Sequence, residues 1–186
     1  MTTTVFMLGV FTTLALLMLK GRMIGFTAQK PEDYAGQGQQ FDLRRHLSGP
    51  ILCEGVIFGP TGRVTSRFVA DMEATWDGNA GVMTEEFRYD SGSTQSRRWT
   101  LTLGNDGTVR AEAPDVVGSG TGKLVGSALK LAYRIRLPEE SGGYVLDATD
   151  WMYLTANDTI INRSQFRKYG VKVAELVATL RRKEVV

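Results

Sequence analysis

The sequence predicts a mainly β protein, an antiparallel up-and-down β-barrel preceded by one apolar helix. Two observations predict the barrel. Short segments of alternating apolar and polar residues recur along the chain, and turn segments rich in Gly, Asp and Asn separate them. A third observation, an uninterrupted apolar run near the N-terminus, predicts the helix.

The N-terminal helix is predicted from residues 5–19, VFMLGVFTTLALLML, which carry no charge. At about 1.5 Å per residue this run covers roughly 22 Å, short of a bilayer core of about 30 Å. Lys20 and Arg22 can snorkel, so that apolar residues up to Phe26 extend the span. A cleaved signal peptide is the alternative, but no small-residue cleavage site follows the run. We therefore expect an uncleaved transmembrane or signal-anchor helix within residues 1–26.

The rest of the chain is expected to form a linker and one barrel domain. Residues 27–40 are polar and rich in Gly and Gln, which is typical of a linker. Residues 41–186 contain the alternating segments, and the strands are expected to extend to about residue 182. The C-terminal stretch YGVKVAELVATLRRK fits either a closing strand or a terminal helix.

Alternation is clearest in residues 68–76, 98–103 and 129–137, where one face is apolar and the other is polar. The connections between such segments are too short for crossover helices, so neighbouring strands must be antiparallel. About nine strands in one open sheet would leave two long edges, and closure into a barrel removes them. The inward residues expected are Trp76, Trp99, Leu131, Tyr133, Ile135 and Met152.

Composition excludes several function classes. The net charge is +2, from 22 basic and 20 acidic residues, so nucleic acid is not an expected partner. Cys53 and His46 are the only residues of their types, which leaves no internal disulfide, no cysteine-based or multi-histidine metal site and no convincing catalytic triad. The segment GSGTGK lacks the Ser or Thr that follows the Lys of a phosphate-binding loop. We therefore expect no catalytic residues, no metal and no cofactor.

Glu85 is expected inside the barrel, because it alternates with Phe87 and Tyr89. A buried carboxylate is costly unless it is paired, so an arginine should lie nearby, with Arg163 and Arg98 as the candidates. The pair could be structural, fixing the register of the barrel, or it could anchor the polar group of a ligand. The sequence leaves both interpretations open.

Residues 150–164, DWMYLTANDTIINRS, predict a hairpin that lines a cavity or a core. Asp150 and Met152 share one face, and beyond the turn Asn162 joins them, while Arg163 lies on the other face unless a bulge turns it. No nucleophile–base pair can be read from this segment. The residues expected to bind a ligand are Glu85, Trp99, Tyr133, Asp150, Met152, Asn162 and Arg163.

Several motifs resemble those of DUF3833, a bacterial family of unknown function whose members are often described as lipoproteins. The resemblance covers residues 33–182 and implies a lipocalin-like (calycin-type) barrel in the cell envelope, with no established catalytic residues to carry over. The lipoprotein members have an acylated cysteine after the apolar run, which is absent here. The resembling segments are DYAGQGQQFDLRRHLSGPI, TWDGNAGVMTEEFRYDSG, RRWTL, DVVGSGTGKLVGSALKLAYRIRLP and TDWMYLTANDTIINR.

Three functions compete at this point. The first is a membrane-tethered module that binds a small apolar ligand, such as a fatty acyl chain or a lipid, without catalysis. The second is a structural envelope protein with a filled barrel, and the third is an enzyme that acts on a lipid-like substrate. Two basic residues after the apolar run favour a cytoplasmic domain, but the resemblance implies the periplasmic side of the bacterial inner membrane, which we expect.

Overall fold

The computed structural model describes residues 2–183, apart from the side chains at positions 2, 17, 18, 20–22 and 140. The last three residues of the predicted barrel domain and the first residue of the predicted anchor lie outside the described residues. Helix α1 spans Thr2–Met23, and α2 is one turn, Leu43–His46. The strands are β1 (Gly49–Phe58), β2 (Val64–Asp77), β3 (Ala80–Tyr89), β4 (Thr94–Leu103), β5 (Thr108–Glu112), β6 (Gly120–Val125), β7 (Ala128–Arg136), β8 (Val145–Leu154), β9 (Ile160–Lys168) and β10 (Val171–Arg182).

The strands form one closed antiparallel barrel. Each strand pairs with the next along the chain, and β10 returns to pair with β1, with Cys53 opposite Leu180. The predicted barrel is therefore confirmed, with ten strands rather than about nine. The ambiguous C-terminal segment is the closing strand β10, because closure satisfies the backbone groups that both edges would otherwise expose.

The chain divides into two compact units, one ending at Asp33 and one beginning at Tyr34. The first contains α1. Among the described residues no helix is both long and apolar enough to cross a membrane, so the membrane-spanning helix expected within residues 1–26 is not found there. Within α1, Thr12 and Thr13 direct their hydroxyls to backbone carbonyls one turn earlier, and these polar residues interrupt the apolar sequence.

In the second unit, α2 and its flanking residues close one end of the barrel. Phe41, Leu43 and Leu47 are at most 2% exposed and join the hydrophobic core inside the barrel. The Trp76 indole donates a hydrogen bond to the Leu47 carbonyl at 2.7 Å, which fixes this closure to β2. The Asp42 side chain accepts from the Arg44 N–H and caps α2.

The interior narrows beside Gly55 of β1. A Cβ atom at this position would lie 2.7 Å from the Ala178 Cβ, from a ring carbon of Phe68 and from a backbone oxygen. Only glycine permits so close an approach. The same alternation that was predicted from sequence places Phe68, Ala70 and Met72 inside the barrel.

Candidate functional site

A cavity of about 110 Å³ lies inside the barrel. Most of its wall is apolar and comes from Leu43 and Leu47 at the closed end and from nine of the ten strands. Several polar side chains interrupt this wall between the apolar residues at the two ends. The volume is below the roughly 300–1,000 Å³ typical of sites for drug-sized molecules. The cavity therefore suits a small or slender apolar ligand.

Six of the seven residues predicted to bind a ligand line this cavity. The strand register explains their convergence, because Asp150 pairs with Leu131 on one side and Ser164 on the other. Trp99 and Tyr133 meet edge to face, with ring centroids 5.4 Å apart. The six residues are Glu85, Trp99, Tyr133, Asp150, Met152 and Asn162.

The structure places Arg163 outside the cavity. Its Nε donates to Glu175 Oε1 at 2.6 Å on the outer surface of the barrel. The β8–β9 register runs without a bulge, with Met152 opposite Asn162, so Arg163 takes the outward face. The expectation that Arg163 or Arg98 pairs with Glu85 is wrong, because neither side chain is directed into the barrel.

The arginine near Glu85 is Arg97, which the sequence analysis missed. It lies opposite Glu85 in the β3–β4 register and stacks over Trp99, 4.1 Å from the ring centroid. Its Nε donates to Asp115 at 3.0 Å, and its Nη2 is buried without a hydrogen-bond partner. Alternation could have found it, since residues 97 and 99 share a face. Because Trp99 is expected inside the barrel, alternation places Arg97 there as well.

Burial raises the pKa of Glu85 to about 7, although the Arg97 cation and the Trp99 indole N–H oppose the shift. Glu85 is only 6% exposed, and the charge of the nearby Asp150 carboxyl raises the pKa of Glu85 further. Glu85 is thus partly protonated near neutral pH. Its protonated form can donate a hydrogen bond, and its ionised form can only accept one.

A second polar group lies across the cavity from Glu85. Burial raises the pKa of Asp150, while the Ser164 and Tyr133 hydroxyls partly stabilise its charged form. The Asp150 Oδ1 and Asn162 Oδ1 atoms are buried without hydrogen-bond partners. Buried polar atoms usually find partners, because each unmade hydrogen bond costs about 1–3 kcal/mol. These atoms and Arg97 Nη2 can therefore hydrogen-bond a polar group that enters the cavity.

The cavity provides binding groups rather than a recognisable catalytic set. Burial raises the pKa of Cys53 to about 12, so this thiol is a poor nucleophile. His46 lies in α2 at the closed end and does not line the cavity. Within the part of the chain that the structure describes, no three His, Cys, Asp or Glu side chains are placed to hold a metal ion.

The family model of DUF3833, described as a protein of unknown function, matches residues 21–182. The chain belongs to this family. The match agrees with the motifs quoted above and covers every strand of the barrel. No curated protein matches the chain in sequence.

Solved structures that resemble the fold of this DUF3833 protein include two with TM-scores above 0.5. The S-type phycobiliprotein lyase CPES from Guillardia theta has a TM-score of 0.57 at 10% identity, covering 77% of this chain and 92% of its own. Rv2717c from M. tuberculosis has a TM-score of 0.52 at 18% identity, covering 75% and 94%. Together with the closed ten-strand topology, they confirm the predicted lipocalin-like barrel.

Proposed function

We propose that this DUF3833 protein binds a small, largely apolar ligand, such as a fatty acyl chain or another lipid, inside its barrel without catalysis. The single observation that carries the proposal is the apolar cavity with unpartnered polar atoms in its wall, on Arg97, Asp150 and Asn162. Small-molecule sites combine apolar walls with a few placed polar groups in this way. The S-type phycobiliprotein lyase shares this barrel fold, in which the interior of the barrel is the site available to a ligand.

A binding titration tests this function. Isothermal titration calorimetry of the full-length protein with dodecanoic acid should show saturable binding, because its alkyl chain can pack against the apolar wall of the cavity. Met152→Trp places an indole in the cavity and should reduce the affinity at least tenfold. Val69→Trp, on an outward residue of β2, is the matched control and should bind normally. Equal affinities for the two variants would contradict binding inside the barrel.

We further propose that α1 associates with a membrane and holds the barrel in the bacterial envelope, on the periplasmic side. The large apolar residues Phe6, Leu8, Phe11 and Leu16 of this helix are 61–69% exposed. Exposed apolar surface of this extent is typical of protein-binding or membrane-binding segments. The lipoprotein character that the family resemblance implies supports the envelope location.

Fractionation of the native host tests the membrane proposal. The full chain should sediment with membranes in high salt, and a chain lacking residues 1–33 should remain in the supernatant. Recovery of the full chain in the supernatant would contradict association through α1. Protease added to intact spheroplasts should digest the barrel if it faces the periplasm, and protection of the barrel would contradict that orientation.

A further inference from the structure

The barrel wall has a lateral opening beside β4. This strand pairs with β5 only over residues 100–103, and in the described chain no strand pairs with residues 94–99 on that side. The segment that follows β5, residues 113–119, bonds to β7 instead. The Val117 N–H donates to the Arg134 carbonyl at 2.8 Å. A gap therefore separates the first half of β4 from this segment.

One ion pair crosses the gap. Arg97 reaches from β4 to Asp115 of the 113–119 segment, with Nε 3.0 Å from the carboxylate. Arg97 lines the inner cavity, and it also lines a surface pocket of about 320 Å³ on the outer side of the gap. Asp115 also lines the outer pocket, which is completed by Thr84, Glu86, Gln95, Ser96, Arg98 and Pro114. The Arg97 side chain thus separates the two spaces.

The gap presents hydrogen-bond donors that lack acceptors. Arg97 Nη2 is buried and unpartnered. Arg98, on the outer face, has no carboxylate within 4.0 Å in the described chain. The two acidic side chains of the outer pocket are already engaged, Asp115 by Arg97 and Glu86 by the Ser96 hydroxyl. A ligand group that accepts hydrogen bonds and carries one negative charge fits two guanidinium groups.

We propose that the gap binds the carboxylate of a fatty acid whose chain lies in the barrel cavity. This assignment rests on the proposed ligand-binding function. Arg97 contacts the carboxylate from the cavity side and Arg98 from the outer pocket. A dianionic phosphate is disfavoured, because Glu86 and Asp115 would repel its second charge. The carboxylate end therefore lies at the lateral opening, and the methyl end lies among the apolar residues of the barrel.

The assignment is tested at pH 8 with three probes of equal chain length: dodecanoic acid, dodecan-1-ol and dodecyl phosphate. Calorimetry on the full-length protein should show that the acid binds at least tenfold more tightly than either of the others. Arg98→Gln should remove most of the preference for the acid over the alcohol, because it weakens the binding of the acid. Because Arg98 is exposed, this variant should fold normally.

The matched control is Arg134→Gln, which removes an exposed arginine on β7 whose nearest carboxylate, Asp147, lies 4.0 Å away. It should keep the preference for the acid. Equal binding of acid and alcohol, or a preference for the acid that survives Arg98→Gln, would overturn the gap assignment while leaving ligand binding intact. If dodecyl phosphate binds more tightly than dodecanoic acid, the gap binds a phosphate group and not a carboxylate. Failure of all three probes to bind would contradict the proposed function itself.

Discussion

The buried carboxyl of Glu85 should make the stability of the barrel depend on pH. Its pKa is about 7 in the folded protein and 4.5 in its ordinary, exposed state. Between these values the folded state holds more protons than the unfolded state, so the free energy of unfolding falls as the pH rises. The decrease in the free energy of unfolding begins near pH 4.5 and is complete above pH 7. The difference between the two pKa values corresponds to about 3 kcal/mol.

Urea denaturation of the full-length protein at pH 5 and pH 8 measures this effect. The wild type should lose about 2–3 kcal/mol over this interval, and Glu85→Gln should lose much less, because a neutral amide replaces the titrating group. Burial raises the pKa of Asp150 as well, so the dependence that this group contributes should remain in the variant. Glu73→Gln, on an exposed residue of β2, is the control and should behave as the wild type. The same pH dependence in Glu85→Gln as in the wild type would refute the reasoning.

Three further substitutions or treatments have defined outcomes. Arg163→Ala should cost less than about 1 kcal/mol in urea denaturation, because Arg163 is half-exposed and Glu175 keeps its ion pair with Lys172 at 2.6 Å. It should leave ligand affinity unchanged, and loss of binding would show that Arg163 belongs to the site. Gly55→Ala should cost about 1–3 kcal/mol, because the new methyl group would collide with Ala178; an unchanged urea midpoint would contradict the close approach. Cys53 should resist a thiol reagent at pH 8 until the protein unfolds, and rapid labelling of the native protein would show that the thiol is accessible.

The barrel could be predicted because its determinants are local. Alternation with a period of two assigned Phe68, Trp99 and Tyr133 to the inner face, and short turn segments required antiparallel neighbours. The same rule placed Glu85, Asp150 and Asn162 inside. The sequence of β10 alone could not show that this segment is the closing strand, because the spacing of Val173 and Leu176 fits either a strand or a helix. The strand is decided by its pairing with β1 and β9.

The features that could not be predicted from the sequence depend on contacts between residues that are far apart in the chain. The arginine opposite Glu85 is Arg97 on the adjacent strand, whereas the candidates from sequence, Arg163 and Arg98, both lie on the outer face of the barrel. Trp151 alternates with the inward Asp150 and Met152 and so lies on the outer face of β8, yet it is fully buried because Tyr34 covers it, with ring centroids 5.4 Å apart. The lateral gap also escapes prediction, since it arises from the departure of residues 113–119 from β4 toward β7.

Native mass spectrometry of the full-length protein, purified without added lipid, tests the central claim most directly. The wild type should carry a small molecule of defined mass that dissociates on activation, and the mass should match a fatty acid or another lipid. Met152→Trp should carry none, because its indole occupies the cavity, while Val69→Trp should retain the molecule. A wild-type protein that is free of ligand and also fails to bind dodecanoic acid would contradict the proposed function.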